Sequence, residues 1–195
     1  EEDGTERMLA WLAQCHSSAR RASALRFFRQ KLSGGGWTAL DSALLQDRLC
    51  PLLLRVLQEA WPPGPEAEVD TLWCLTNLLC GRSSLVHGLL EAGGLQILLA
   101  SLRGGKDQPG VVGQALWALS NLAGDCDDCR RALLEANFVS DVHEVIGEEG
   151  ELLPDPGINA AKTLTIAVWA FSNLCRGGSK SGWEATLGSL LPRVA

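Results

Sequence analysis

The sequence predicts an all-α chain, a right-handed superhelical solenoid of about four helical repeats, and three observations predict it. First, the pattern Trp-x-x-Ser/Thr-Asn-Leu occurs three times, over Trp73–Leu78, Trp117–Leu122 and Trp169–Leu174. Second, the three tryptophans are 44 and 52 residues apart, the spacing of a repeated unit of two or three helices. Third, each copy reads as helix. Leu116, Leu119, Leu122 and Ala123 recur at helical spacing, and Gly81, Gly124 and Gly177 stand where a helix stops. Such a unit cannot bury its apolar stripe alone, so units stack to share a continuous core.

The spacing is that of helical armadillo and HEAT arrays. Residues 1–36 read as a divergent first repeat. Its long helix is Ala22–Leu32, with Phe27 and Phe28 as packing residues and no Trp–Asn pair, and Ser33–Gly36 breaks it. The second repeat, 37–81, has helices at Ala39–Asp47 and Pro51–Ala60, with Pro51 suited to a first turn. Trp61–Pro65 is a rigid turn before the helix of Trp73. The third repeat, 82–124, has helices at Ser84–Ala92 and Gly94–Leu102 before that of Trp117. The fourth, 125–176, opens with a helix at Asp127–Ala136 and carries an acidic, glycine- and proline-rich surface loop at Gly147–Gly157. Residues 177–195 read as the start of a further repeat, which leads us to expect a longer array.

Composition narrows the function class. Apolar residues make up 46% and charged residues 21% of the 195, so the chain can build a packed core. Its apolar runs, such as Cys50–Leu54, fall far short of the ~20 residues of a membrane helix. The start, Glu1–Gly4, lacks the basic and apolar regions of a secretory signal. Neither a membrane nor a nucleic acid is expected as a partner, since a net charge of −6 does not suit phosphate contacts. Seven cysteines in no regular pattern point to a reducing compartment, with Cys74, Cys80 and Cys175 as small apolar residues within helices.

The paired tryptophan and asparagine carry the functional reading. Four residues apart, they lie on one face of a helix. An asparagine amide both donates and accepts, so it can grip the N–H and C=O of an extended peptide. Neighbouring indoles can take the methylene stem of a lysine or arginine, with cation–π attraction for its charge. Asp125, directly after Gly124, is placed to meet such a charge. Packing alone would accept Leu, Ile or Phe at the tryptophan positions and would not require an amide each time.

These segments resemble the importin-alpha (karyopherin-alpha) family of nuclear-import adaptors, most closely at Ala115–Asp125 and Val168–Arg176. The similarity runs from about residue 66 to 195, more faintly from residue 20. It implies that Trp73, Trp117 and Trp169 flank the lysines of a localisation signal, and that Asn77, Asn121 and Asn173 hold its backbone. It implies that Asp125 binds the key lysine, and that Gly81, Gln114 and Arg176 are further groove residues. It also implies a basic linear peptide or protein cargo, and a life in both cytoplasm and nucleus. A beta-type import receptor is a further partner it raises, through a region outside this sequence. The chain departs from the family pattern at Val86, where a hydroxyl residue is usual, and at Ile166, where a polar one is. Within the sequence, no arginine- and lysine-rich N-terminal segment matches the receptor-binding arm that the resemblance leads us to expect.

Other chemistry is not expected. Cys126 and Cys129 have the spacing of half a zinc site but no second pair. His16, His87 and His143 are scattered, with the latter two read as surface residues. Arg20, Arg21, Arg26 and Arg29 read as a solvated helix face. No catalytic residue, cofactor or metal site is assigned. The alternative to import is an armadillo scaffold or dedicated chaperone that assembles a cytoskeletal, ciliary or other complex.

Overall fold

A computed structural model describes residues 2–14, 17–33, 48–59, 65–80, 83–146 and 160–176. The described residues are helical and joined by short turns, as the all-α prediction requires. The chain divides into two compact units, Glu1–Ile97 and Leu98–Ala195.

The first unit contains α1 (Glu2–Gln14), α2 (Ser18–Ser33), α3 (Cys50–Gln58), α4 (Pro65–Leu79) and α5 (Ser83–Glu91). α4, the helix of Trp73, packs against α2 and α3, while α1 packs against the same two helices. Leu9 and Leu12 of α1, Leu25 and Phe28 of α2, Leu53 of α3, and Leu72, Leu75 and Leu78 of α4 are all buried. α3 has Pro51 in its first turn, where a missing N–H costs nothing. Arg55 of α3 donates to the carbonyls of Leu12 and Ala13, satisfying the open end of α1. The sequence reading names no helix over Glu2–Gln14, because only Met8, Leu9, Trp11 and Leu12 mark its apolar face. The expected helix Ala39–Asp47 lies outside the described residues, as do the turn residues 61–64.

α6 (Gly94–Gly104) runs across the division, and the second unit continues with α7 (Pro109–Asp125), α8 (Asp127–Glu135), α9 (Phe138–Ile146) and α10 (Ala160–Leu174). α7 and α10 lie against each other along much of their length, and α8 packs on α7. Val111, Ala115, Leu116, Ala118, Leu119, Leu122 and Ala123 of α7 are buried, including all four residues read from the helical spacing. Across from them lie Ala167, Ala170 and Leu174 of α10. Small residues on both sides let the two helices approach closely. α10 leaves Leu164, Val168 and Trp169 exposed. The loop 147–157 lies outside the described residues.

The repeat is visible in a turn. Gly93 follows α5 with φ +74° and Asn137 follows α8 with φ +64°. Each donates its N–H back three residues, to Leu90 O and Leu134 O at 3.0 Å. Each accepts from the residue three ahead, Gln96 or Ser140. Only glycine and asparagine take the left-handed conformation cheaply, so these two types stand at one structural position.

Arginines tie helices together in both units. Arg21 is buried and donates to Glu59, and Arg29 is paired with Asp70. The expected solvated arginine face is therefore corrected at Arg21, while Arg29 stays exposed but paired; their carboxylate partners lie 38 and 41 residues away, beyond the reach of local pattern reading. Arg103 forms a fork to Asp141, with both contacts at 2.9 Å, and caps α8 through Ala136 O at 2.8 Å. Among the described residues no single helix is long and apolar enough to cross a membrane.

Candidate functional site

Each Trp–Asn pair lies on a helix, so the four-residue spacing places both members on one helical face. α4 carries Trp73 and Asn77, both half-buried. The Asn77 amide donates to Trp73 O at 2.9 Å, a local back-bond within the helix. α7 carries Trp117 and Asn121, also half-buried, with Asp125 at the helix end and Gln114 buried one turn before the tryptophan. α10 carries Trp169, 37% exposed, and Asn173, only 1% exposed. Arg176 follows in the turn, exposed, its N–H on Asn173 O. Gly81 lies outside the described residues.

The three pairs are therefore alike in sequence and unlike in surroundings. Asn77 and Asn121 keep part of their surface in solvent, whereas Asn173 is withdrawn between α10 and α7. Its Nδ2 donates to Ser120 O at 2.9 Å. Its Oδ1 is buried without a hydrogen-bond partner among the described residues. Gly124 makes room for it: a Cβ there would come within 3.1 Å of the same Nδ2.

Val86 and Ile166, the two departures noted in the sequence, turn inward. Val86 is fully buried, on the face of α5 formed with Leu85 and Leu89, and Ile166 is 7% exposed on α10. They contribute packing and present little surface to a ligand.

Cations already sit on the indoles. Arg29, held by Asp70, lies over the Trp73 ring with its guanidinium carbon 5.3 Å from the centroid. Lys162 Nζ lies 5.3 Å from the Trp117 centroid. Trp11 has two such neighbours, Arg7 at 5.9 Å and Arg20 at 5.8 Å. These distances fall within the range of cation–π attraction. The sequence reading missed both Arg29 and Lys162 as indole partners. Lys162 had one available signal, since it stands seven residues before Trp169 and hence on the same face of α10.

The cysteine pair has a local explanation. The Cys126 sulfur accepts from the Cys129 N–H at 3.3 Å and caps α8. Burial, with the neighbouring Cys126 thiol and Asp125, pushes the Cys129 thiol up to about 12, so it remains protonated at neutral pH. A protonated, buried thiol is a poor metal ligand and a poor nucleophile. Cys74 is buried as expected, but Cys80 is exposed and Cys175 half-buried, because both fall at helix ends.

Comparison with known proteins gives this arrangement a context. The profile of the Armadillo/beta-catenin-like repeat matches residues 89–124. Importin subunit alpha-9 of Arabidopsis thaliana is 34% identical over 158 residues, covering 81% of this chain and 27% of its own length. Importin subunit alpha-1b of Oryza sativa subsp. japonica is 29% identical over 171 residues, covering 88% of this chain and 29% of its own. The chain is an importin-alpha-like armadillo protein. It spans under a third of the length of these curated relatives. The armadillo fold is equally clear in solved structures. A designed armadillo repeat protein in complex with peptide (KR)4 superimposes with a TM-score of 0.73 at 23% identity, over 93% of this chain and 68% of its own. An engineered protein does so with a TM-score of 0.76 at 18% identity, over 97% of this chain and 71% of its own. The curated relatives are named as importin subunits, and the designed neighbour is a complex with a peptide.

Proposed function

We propose that this chain is a nuclear-import adaptor-like binding module that holds an extended lysine- and arginine-rich segment against its Trp–Asn faces. The observation that carries the reading is on α7: a half-buried indole with a cation on it, a half-exposed amide one turn on, and a carboxylate at the helix end. The indole takes the methylene stem and charge of a basic side chain. Asn121 bridges the peptide N–H and C=O, and Asp125 supplies the counter-charge. Trp169 of α10 and Arg176 in the turn after it add a stacking surface and a donor, and Gln114, one turn before Trp117, is a further groove residue. In the first unit Trp73 and Asn77 form the corresponding pair, and Gly81 is assigned to it from the sequence resemblance. Reading backbone and alternate side chains together is an efficient way to recognise a linear motif.

The relatives named as importin alpha subunits support this reading, as does the structural likeness to a designed armadillo protein holding a lysine–arginine peptide. On the same reading the chain works in the cytoplasm and nucleus, with a beta-type import receptor as a second partner through a region outside this sequence.

A fluorescence-anisotropy titration with a labelled lysine-rich peptide tests it. Trp117→Ala and Asp125→Lys should each weaken binding by on the order of 2–4 kcal/mol, as truncation of a buried anchor does. Binding unchanged in both variants would remove the assignment.

A further inference from the structure

Resting on that reading, we propose that Lys162 is a built-in competitor for the Trp117 face and sets which basic ligands the chain accepts. Lys162 lies on α10, two turns before Trp169, and its ammonium sits 5.3 Å from the Trp117 ring centroid. It thus fills the position that a ligand's basic side chain would take.

The comparison with Arg29 shows why Lys162 can be displaced. Arg29 is doubly held, by the Trp73 ring and by its ion pair with Asp70. Lys162 is exposed, and among the described residues no carboxylate pairs with it. A flexible lysine held, among the described residues, on one indole gives up little when it leaves, and it regains rotamer freedom. Two ammonium groups do not share one ring face, because their repulsion opposes the attraction of the ring. An incoming cation must therefore expel Lys162.

That exchange discriminates by ligand length. A free lysine, or a peptide with one basic residue, trades one cation–π contact for another and gains almost nothing. An extended basic peptide also engages Asn121 and Asp125, contacts that Lys162 does not replace. The resident lysine raises the threshold for all ligands equally, so only those with several contacts pass it.

The test uses the whole chain, a labelled lysine-rich peptide and two readouts. Lys162→Ala should tighten peptide binding about two- to five-fold, the size of one exposed cation–π contact. Lys162→Arg, which keeps a cation on the ring, should leave affinity near that of the parent. In the free chain, the Lys162 ε-methylene protons should show an upfield ring-current shift by NMR that is lost at peptide saturation. Unchanged or weaker binding by Lys162→Ala, or a shift that persists at saturation, overturns the proposal. If the parent binds the peptide and Lys162→Ala binds it equally, the competitor alone falls. If neither binds, the peptide-groove reading falls and the competitor with it.

Discussion

The side-chain amide of Asn173 donates to the carbonyl of Ser120 at 2.9 Å, joining α10 to α7 across the centre of the second unit. Asn173 is 1% exposed, so this bond is shielded from water and ties together two helices that also pack through alanines and leucines. A residue type read from sequence as a peptide clamp thus has a packing duty in the third pair.

That duty gives a stability prediction. Asn173→Ala should destabilise the chain by about 1–3 kcal/mol in a urea melt, through loss of a buried hydrogen bond and its side-chain volume. Gly124→Ala should also destabilise, since its Cβ would press on an amide that Ser120 holds in place. Combined with Asn173→Ala the clash disappears, and the helix propensity of alanine should make Gly124→Ala stabilising by about 0.5–1 kcal/mol. Strict additivity of the two changes would contradict the contact.

Asn77 should behave oppositely. Among the described residues its amide bonds to its own helix, at Trp73 O, and it is half-buried. Asn77→Ala should shift stability by no more than about 0.5 kcal/mol, as for surface changes. Thermal melts of Asn77→Ala and Asn173→Ala side by side check the contrast, with Asn173→Ala the lower-melting variant.

Asn137 tests the repeated turn. Its φ of +64° matches Gly93 at +74°. Asn137→Gly should be neutral to mildly stabilising, while Asn137→Ala should cost on the order of 1 kcal/mol, because alanine is strained in the left-handed region. Chemical denaturation of both variants decides it.

The thiols predict an alkaline limit. Burial pushes Cys50 up to about 11 and Cys129 up to about 12, whereas an unfolded cysteine ionises near 8.5. Folding therefore favours the protonated thiols. Their contribution is fully present below about pH 8.5 and is lost as pH rises from there towards the folded values. Denaturation midpoints should fall from pH 8.5 to 10.5, less steeply in Cys129→Ala. In alkylation of the native chain, exposed Cys80 should react before Cys50, Cys74 and Cys129.

Periodicity made the fold legible where one stripe faces one core. The buried face of α7 was readable because Leu116, Leu119, Leu122 and Ala123 all point the same way. α1 escaped notice because its first turns, Glu2–Arg7, carry no apolar residue to start the pattern. The Trp–Asn pairs were legible as a motif, but not their different burial. Whether an asparagine meets solvent or Ser120 depends on a helix 53 residues away, which a local pattern cannot register. Arg21–Glu59, Arg29–Asp70 and Lys162 on Trp117 were hidden for the same reason. Val86 and Ile166 were aligned to groove positions by resemblance, yet their apolar side chains follow the burial of their own helices.

The central claim is that Trp–Asn faces bind a basic extended peptide. The most direct measurement is an indole N–H NMR titration of the chain with a lysine-rich peptide, resonances assigned by single Trp→Phe variants. The account predicts saturable shifts of the Trp117 and Trp169 indoles, with Trp11, already flanked by Arg7 and Arg20, unchanged. Saturable binding that moves Trp11 and leaves Trp117 and Trp169 in place would contradict it.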